Sequence, residues 1–353
     1  MNILVINLGA TSTKVAYHSG GAPVVESNIR LDSLRLRDFP TVAAQYGYRY
    51  DTLIGFLNEN NIDPKNLDAI VTRGGHTEPV TGGVYRITEK MLEQSASQKY
   101  GFNPADLGLR IAYEMGAEFG GEAFTVDPPA TCEFETYAFY SGMPEIRRVS
   151  AFHALNQRAV GKQYARDHGK RYEDICLVVA HMGGGVSVAA HKYGRLTDAN
   201  NAIVGDGPFS TDRTGGLPVG QLIDMCYSGR YNHREMYDKI NGVGGLMGYL
   251  GESDIQDITG RALEGDKRCA EVLGAMCYQI AKEIGAYAAV LKGEAEAIIL
   301  TGDMAFSDYL TDEITRYVSF LAPVARYPGE FEMVALADGA KSALEGAVEI
   351  RTL

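Results

Sequence analysis

ILVINLGATSTKVAYHSG at residues 3–20 and LVVAHMGGGVSVAAHKYG at residues 177–194 are two versions of one pattern. In each stretch an apolar run reaches a polar residue (Asn7 or His181), turns through glycine, and resumes as a second alternating run. Two alternating runs joined by a short loop of small residues predict a β-hairpin. Glycine lets a backbone approach a phosphate closely, and exposed N–H groups in such a loop favour anionic oxygens. The repeat therefore predicts two related domains that hold a nucleotide between them.

The composition is that of an ordinary globular protein. The 353 residues exceed what one hydrophobic core usually contains, so two domains are expected. Hydrophobic residues make up 45% of the chain and charged residues 22%, as in typical globular domains. The net charge is −12 and no basic stripe stands out, which argues against a nucleic-acid partner.

The cysteines and the apolar runs indicate the compartment. The 5 cysteines are odd in number and show no CxxC spacing, which is typical of reduced thiols in a cytoplasmic protein. MNILVINLG has no basic region before its apolar run, so we expect no signal peptide. No apolar run is long enough to span a bilayer. We expect a cytoplasmic protein with no membrane partner.

The periodicity along the chain predicts an α/β fold. A third strand is expected at 22–29, and further strands within LDAIVTRGG (67–75), AFTVDPPA (123–130) and AIILTGD (297–303) and near 323–327. Helices are expected at 42–60, 89–99, 104–119, 152–169, 267–291, 310–320 and 332–347. The stretch at 198–220, DANNAIVGDGPFSTDRTGGLPVG, has no regular period. Loops of that length inside a domain are uncommon and usually functional.

Several familiar motifs are absent. The chain has no Walker A sequence, HExxH, GxGxxG or CxxC pair, so P-loop kinases, zincins and simple dinucleotide-binding proteins are poor first hypotheses. What remains is Asn7, Gly9, Ser12 and Lys14 on the first hairpin, with the HMGGG and LTGD loops downstream.

These loops belong to longer stretches that resemble the butyrate and branched-chain fatty-acid kinases of the acetokinase family, within the acetate and sugar kinase, Hsp70 and actin superfamily. The stretches are INLGATSTK, VTRGG, VDPP, FHALNQ, VVAHMGGGVSVAAHKYGR, GDGPFSTDRTG, LTGD and PGEFEMVALA. The resemblance implies an α/β fold of two duplicated ribonuclease-H-like (actin-like ATPase) domains around a nucleotide cleft. It implies an N-terminal domain at 1–126 plus 336–353 and a nucleotide-binding domain at 127–335.

The reaction implied by the resemblance is phosphoryl transfer between ATP and a short carboxylic acid, with Mg²⁺, giving ADP and an acyl phosphate. A carboxylate is already ionised at neutral pH, so it needs positioning and charge neutralisation rather than a general base. Relatives in the family form dimers or larger assemblies, so a homodimer or higher homo-oligomer is expected.

The resemblance also implies roles for single residues. Arg73 would pair with the substrate carboxylate, since a planar guanidinium suits two-point contact. His153 would hydrogen-bond the transferring phosphoryl group in its transition state, and Arg213 would offset the charge on that group. Asp127, also a member of the catalytic set, and Glu332 would hold Mg²⁺. The nucleotide phosphates and the nucleoside would be bound by Asn7, Gly9, Thr11, Ser12, Lys14, His181, Gly183, Gly184, Gly185, Gly302 and Asp303.

One feature of the sequence indicates the length of the acyl chain of the substrate. Acetate kinases carry two valines where this chain has Gly74 and Gly75. Losing those branches would open room for a longer acid, each buried methylene being worth about 0.8 kcal/mol. Phe152, next to His153, would line the apolar end. Butyrate or another C4–C5 acid is therefore favoured over acetate.

Some positions depart from the family pattern and leave alternatives open. Gln256 stands where an arginine is expected near the nucleotide, and Asp303 replaces a glycine of the adenosine loop. The alternatives are an acetate or propionate kinase, and a catalytically weakened ATP-binding paralogue. A sugar kinase is less favoured, because beyond Asp127 no carboxylate is placed to activate a hydroxyl.

Overall fold

The computed structural model describes residues Met1–Leu353 and shows strands and helices that alternate along the chain. The strands are β1 (Asn2–Leu8), β2 (Ser12–Ser19), β3 (Ala22–Arg30), β4 (Ala69–Thr72), β5 (Val84–Arg86), β6 (Glu122–Val126), β7 (Cys176–Met182), β8 (Val186–Lys192), β9 (Arg195–Ala199), β10 (Ala297–Gly302), β11 (Val324–Pro328) and β12 (Ile350–Arg351). The helices are α1 (Ser33–Arg37), α2 (Tyr46–Glu59), α3 (Glu89–Ala96), α4 (Asp106–Phe119), α5 (Ala154–Asp167), α6 (Val219–Cys226), α7 (His233–Ile240), α8 (Gly245–Leu250), α9 (Ile255–Leu263), α10 (Lys267–Val290), α11 (Asp308–Val318) and α12 (Glu332–Leu344).

Two compact units divide these elements. Unit 1 comprises Met1–Cys132 and Phe331–Leu353, and unit 2 comprises Glu133–Glu330. The boundaries expected from the resemblance, after 126 and after 335, lie a few residues from these. The C-terminal segment therefore returns to the unit that contains the N-terminus.

The two sheets have the same arrangement over five strands. The strand order is β12-β5-β6-β4-β1-β2-β3 in unit 1 and β11-β10-β7-β8-β9 in unit 2, so that β6-β4-β1-β2-β3 corresponds to β11-β10-β7-β8-β9. In unit 1, β1, β2 and β3 form an antiparallel meander, β1 pairs in parallel with β4, and β4 pairs in parallel with β6. In unit 2, β7 to β11 repeat this arrangement strand for strand. The predicted α/β fold with two duplicated domains is confirmed.

The central strands are buried on both faces. Every residue of β7 and of β10 is buried, and their runs CLVVAHM and AIILTG are almost wholly apolar, as expected of parallel strands covered on both sides. In contrast, β3 lies at the edge of its sheet and has no buried residue. The rigid central strands fix the positions of the loops that follow them.

Helices cover these sheets with apolar stripes. In unit 2, α10 begins after Asp266, whose carboxylate accepts hydrogen bonds from the N–H groups of Arg268 and Cys269, as an N-cap does. The stripe on α10 packs against β7 and β8. In unit 1, α12 packs against β1, β4 and β6. This places the first turn of α12 near the carboxyl ends of those strands.

Most of the long elements were predicted from the sequence. The helices predicted at 42–60, 89–99, 104–119, 267–291, 310–320 and 332–347 correspond to α2, α3, α4, α10, α11 and α12. The predicted loop is irregular between β9 and α6. The short helices α1 and α6–α9 were not predicted. All cysteines are free thiols, and none of the helices combines the length and apolar character that crossing a membrane requires.

Candidate active site

Three predicted site residues lie on one edge of the sheet in unit 1. Asn7 is near the end of β1, Arg73 directly follows β4, and Asp127 directly follows β6. These strands are parallel neighbours, with Thr72 beside both Ile6 and Thr125. Ligand sites of open α/β sheets commonly occur at the carboxyl ends of such strands. The topology therefore gathers residues that are far apart in the sequence.

Glu332, the first residue of α12, joins two of them. Its Oε2 accepts hydrogen bonds from Asn7 Nδ2 at 2.7 Å and from Arg73 Nη1 at 3.1 Å. The Glu332 side chain is 4% exposed and that of Arg73 is 33% exposed. Nε and Nη2 of Arg73 donate to no group of the chain. The guanidinium is thus anchored at one nitrogen and retains donors for a second, partly accessible carboxylate.

Asp127 has an unusual backbone conformation. Its φ is 40°, a value that non-glycine residues rarely adopt and that costs about 1–3 kcal/mol. Gly83 N–H donates to Asp127 Oδ1 at 2.9 Å, and Asp127 N–H donates to Gly83 O at 2.9 Å. The residue is buried. Strain held in place by such reciprocal hydrogen bonds is typical of a functional position.

The first hairpin turns through the predicted phosphate loop. Leu8 pairs with Thr13 across the hairpin, and Asn7 pairs with Lys14. Between them, Gly9 N–H donates to Ser12 O at 2.8 Å. Ala10 and Thr11 are exposed, and their N–H groups donate to no group of the chain. Exposed backbone donors of this kind can bind phosphate oxygens.

Arg49 donates hydrogen bonds to the carbonyls of this loop from its buried side. It was not among the predicted site residues. It is 0% exposed. Nη1 donates to Gly9 O at 2.9 Å, Nη2 donates to Ala10 O at 3.0 Å, and Nε donates to Gln45 Oε1 at 3.1 Å. All its acceptors are neutral, so the buried positive charge has no carboxylate partner. Burial lowers the pKa of Arg49 from its usual value.

One feature of the sequence indicates that Arg49 is buried. It shares a helical stripe in α2 with Leu53, Phe56 and Leu57, all buried. An arginine at a core position of an apolar stripe needs internal acceptors. Its two backbone bonds turn the loop carbonyls inward, which leaves the loop N–H groups to face outward. The charge below the loop would favour an anion above it.

Gly74 and Gly75 follow Arg73, but the reason predicted for them is wrong. Their φ angles are +150° and +116°, a region that favours glycine. A Cβ on Gly74 would meet Ala105 O at 2.6 Å, and one on Gly75 would meet Pro128 Cβ at 3.0 Å. The space beside each glycine is filled by the protein itself. These glycines permit a tight turn after Arg73 and do not leave the volume of two missing side chains to an acyl group.

Asp106 fixes this turn. Its Oδ1 accepts from the N–H groups of Gly75 and His76, both at 3.0 Å, and its Oδ2 accepts from Asn103 N–H at 2.8 Å. The same Oδ2 lies 2.7 Å from His76 Nδ1. Burial alone would raise the pKa of Asp106, but the hydrogen bonds and charge of His76 outweigh it and hold that pKa below its usual value. The carboxylate therefore ties the segment after Arg73 to the start of α4.

In unit 2, the second hairpin brings the predicted glycine loop against Arg213. Gly183 N–H donates to Gly185 O at 3.1 Å. A Cβ on Gly185 would lie 2.2 Å from Arg213 Nη1, whereas a Cβ on Gly184 would meet nothing within 4 Å. Arg213 Nη1 donates to Ala202 O at 2.5 Å. The structure thus places Arg213, the arginine of the long loop, directly against the Gly183–Gly185 loop.

The histidines predicted for the site also meet in unit 2. The rings of His153 and His181 stack with centroids 3.9 Å apart and an interplanar angle of 19°. His153 Nδ1 lies 2.9 Å from Ser187 Oγ, and His181 Nδ1 lies 2.8 Å from Asn156 Nδ2. His153 is half-buried, in the position just before α5. His153, which is predicted to contact the phosphoryl group, therefore packs against the second hairpin.

The remaining predicted residues of unit 2 lie outside the hairpin loop. Gly302 ends β10 with φ +88°, and a Cβ there would meet Met182 O at 2.4 Å, so glycine is required for this close approach. Asp303 and Gln256 are exposed. Phe152 is half-buried and stacks on Phe134, with ring centroids 6.2 Å apart.

Comparison with known proteins identifies the family. The family model described as "Acetokinase family" matches residues 125–310. Butyrate kinase 2 of Clostridium acetobutylicum is 44% identical over 349 residues, which cover 99% of this chain and 98% of that protein. The chain belongs to the acetokinase family. The resemblance inferred from the sequence is confirmed.

Solved structures of proteins with much lower sequence identity share the fold of this chain. The crystal structure of Porphyromonas gingivalis acetate kinase gives a TM-score of 0.78 at 18% identity, covering 97% of this chain and 99% of that one. A propionate kinase from Francisella tularensis gives 0.75 at 18% identity, covering 96% and 98%. At such low identity these similarities concern the fold alone.

The donor set of unit 1 suits the metal ion that acetokinases are expected to use. Mg²⁺ is commonly held by one or two carboxylates together with substrate phosphates and water. Asp127 and Glu332 supply two carboxylates on one edge of the sheet, and Glu332 Oε1 accepts no hydrogen bond from the chain. The chemistry of these two residues therefore fits a magnesium site.

A first prediction concerns Asp106→Asn. The amide nitrogen would replace the oxygen that accepts from Asn103 N–H, so the free energy of unfolding should fall by about 1–3 kcal/mol. Because the folded pKa of Asp106 is lowered, its stabilisation is complete above the ordinary carboxyl pKa and is lost as the pH falls through the folded value. The deficit of the variant, measured by urea unfolding, should therefore shrink as the pH falls below about 4. Asp63→Asn, at an exposed carboxylate of the same unit, is the control, and a pH-independent deficit would contradict the prediction.

A second prediction concerns Arg49→Met. Loss of the guanidinium leaves Gly9 O and Ala10 O without their donors, so stability should fall by about 1–3 kcal/mol. Stabilisation by added ATP should fall as well, because the charge below the loop is gone. Arg49→Lys should retain part of the stabilisation by ATP, since lysine keeps the positive charge but lacks the forked N–H donors of the guanidinium. Thermal unfolding with and without Mg-ATP measures both quantities.

Arg37→Met is the matched control for this series, because Arg37 is an exposed arginine of the same unit. It should change neither stability nor the shift caused by ATP. An unchanged ATP shift in a folded Arg49→Met variant would show that the buried charge does not act on the nucleotide.

A third prediction separates packing from phosphate binding in the second loop. Gly185→Ala should lower stability by about 1–3 kcal/mol, because its Cβ overpacks against Arg213. Gly184→Ala should leave stability within about 0.5 kcal/mol, since its Cβ enters open space. If the loop binds phosphates, Gly184→Ala should nevertheless weaken ATP binding in calorimetric titration. Tight ATP binding by Gly184→Ala would exclude a close approach of phosphate to this loop.

Proposed function

We propose that this protein transfers the γ-phosphoryl group of ATP to a short-chain carboxylate, with butyrate or another C4–C5 acid preferred. The observation that carries the proposal is the partly exposed Arg73, anchored at one nitrogen by Glu332 on a sheet edge. Membership of the acetokinase family and the 44% identity to butyrate kinase 2 support it. A cation held this way can orient a carboxylate without being neutralised completely by the protein.

The chemical step needs no base. One carboxylate oxygen of the acid forms a bond to the γ-phosphorus, the bond between that phosphorus and the β,γ-bridging oxygen breaks, and ADP leaves with the electron pair. No proton moves, because the acid is already ionised at neutral pH. The protein must position the two reactants and offset the charge that spreads over the phosphoryl oxygens.

The residues of the two units take different parts in this proposal. In unit 1, Arg73 orients the acid, while Lys14 and the N–H groups of the first loop bind phosphate. In unit 2, His153 and Arg213 stabilise charge on the transferred group, and the glycine loop binds phosphate. Mg²⁺ held by Asp127 and Glu332 would neutralise phosphate charge. The homo-oligomer expected from the family stays a prediction that sedimentation can test.

The preference for butyrate rests on the relatives. Because the space beside Gly74 and Gly75 is filled, these glycines do not distinguish long from short acids. A chain-length series therefore decides between the proposed function and an acetate or propionate kinase. A paralogue that only binds ATP is the other outcome, which the exposed Gln256 and Asp303 keep open.

The experiment is acyl phosphate formation, trapped with hydroxylamine, with Mg-ATP and acids from two to six carbons. We expect a maximum at four or five carbons. Arg73→Ala should lower kcat/KM for the acid roughly 10- to 100-fold, since a hydrogen bond to a charged group is worth about 1.5–3 kcal/mol. Arg86→Ala is the matched control, because Arg86 is a surface arginine of unit 1 paired with Glu122.

Each outcome of this experiment tests a separate part of the proposed function. A maximum at two or three carbons would replace butyrate by acetate or propionate. No product with any acid, together with thermal stabilisation by ATP, would indicate a nucleotide-binding relative without the reaction. Wild-type kcat/KM in folded Arg73→Ala would remove Arg73 from the acid site.

A further inference from the structure

A chain of buried side chains in unit 2 ends on His153. Ser187, on β8, is 0% exposed. Its Oγ lies 2.8 Å from Gln157 Nε2 and 2.9 Å from His153 Nδ1. A fully buried hydroxyl must satisfy its hydrogen bonds within the protein. The direction of each bond in this chain can therefore be deduced.

Gln157 sets the first direction. Its Nε2 also lies 3.0 Å from the backbone carbonyl of Ser187. A carbonyl only accepts, so the atom facing it is the amide nitrogen and the side-chain orientation is determined. Gln157 Oε1 then faces His191 Nε2 at 3.0 Å. Since an amide oxygen only accepts, His191 Nε2 carries a proton.

The surroundings of His191 are consistent with this order. It is 0% exposed, and burial, with a contribution from Arg158, lowers its pKa to about 3. The ring is therefore neutral at physiological pH and has a single N–H. With that proton on Nε2, its Nδ1 accepts from Tyr172 OH at 2.9 Å. Every member from Tyr172 to Gln157 is then satisfied in one consistent arrangement.

The last bond follows. Ser187 Oγ accepts from Gln157, and its own proton has one acceptor available, which is His153 Nδ1. His153 Nδ1 is therefore unprotonated, and the ring proton lies on Nε2. In water a neutral imidazole exchanges between two tautomers, and the partner of one nitrogen decides which tautomer is present.

We propose that Ser187, Gln157 and His191 are positioning residues that hold His153 in its Nε2-protonated tautomer. The consequence for catalysis rests on the function proposed above. In this tautomer Nε2 carries a donor for an oxygen of the transferred phosphoryl group. In the other tautomer the same nitrogen would present a lone pair to an anionic oxygen and repel it.

The first test requires no variant of the network. In protein labelled with ¹⁵N at histidine, the chemical shifts of the two ring nitrogens report which one carries the proton. The His153 signals are assigned by their loss in His153→Asn. We expect a protonated Nε2 and an unprotonated Nδ1 at neutral pH. A proton on Nδ1 overturns the proposal, whatever the enzyme turns out to phosphorylate.

The second test breaks the chain of hydrogen bonds. Ser187→Ala should raise the fraction of His153 protonated on Nδ1 and lower kcat on the order of tenfold, with KM for acid and ATP little changed. Ser187→Thr retains the hydroxyl and should restore both readouts. Gln157→Met is a second route to the same loss, in case Ser187→Ala does not fold. A change of tautomer with wild-type kcat would overturn the catalytic part of the proposal.

Thr197→Val is the matched control. Thr197, on β9 next to β8, is also buried, and its hydroxyl donates to Ala190 O at 3.2 Å. Its loss should change neither the His153 signals nor kcat. An equal fall of kcat in this control would mean that any lost buried hydroxyl has the same effect. If wild-type protein forms no acyl phosphate, the proposed function fails, while the spectroscopic test of the tautomer still holds.

Discussion

The arrangement of the candidate site in unit 1 depends on one buried carboxylate. Glu332 contacts Asn7 at the end of β1 and Arg73 at the end of β4, although it lies at the start of the last helix. A buried charge is stable only when paired, and removing one partner commonly costs about 3–5 kcal/mol. The carboxylate therefore requires the C-terminal segment to return to unit 1. It also holds Arg73 at one nitrogen, so the orientation of the Arg73 guanidinium is set by the protein itself.

The two hairpin loops are supported by different chemistry. Below the first loop, the single cation Arg49 draws two carbonyls inward and has no acid beside it. Beside the second loop, Arg213 occupies the place of a side chain at Gly185, and neutral groups connected to Ser187 hold the histidine. A buried cation is costly unless its hydrogen bonds are complete. Its retention below the first loop is understandable when the ligand above that loop is an anion.

The fold could be predicted from sequence largely because its signals are local. The hairpins appear as alternating runs, and the long helices appear as stripes of apolar residues. The short helices α6–α9 were missed, because fewer than three turns give little periodicity. The function of Gly74 was misjudged for another reason. A glycine in sequence does not reveal whether the space beside it is open or, as here, filled by Ala105, the residue just before α4.

The sequence predicted candidate site residues, but it did not predict the contacts that orient them. The motifs gave Arg73, His153 and Glu332, but not the side chains that orient them, because hydrogen bonds between distant residues leave no trace in spacing. Arg49 is the partial exception. Its place in the apolar stripe of α2 was visible, yet only the fold shows that its acceptors are the carbonyls of the first loop.

The duplication explains why these supports differ. Asn7 and His181 occupy equivalent places in the two hairpins, where they pair with Lys14 and Ser187. Gly9 to Ser12 separate the paired strands of the first hairpin, whereas only Gly183 to Gly185 separate those of the second. The cation of one hairpin thus corresponds to a buried hydroxyl in the other. Lys14 can act on a phosphate as a point charge, but Ser187 is buried and acts through the imidazole that it orients. In the proposed function, one strand position therefore serves charge neutralisation in one unit and tautomer selection in the other.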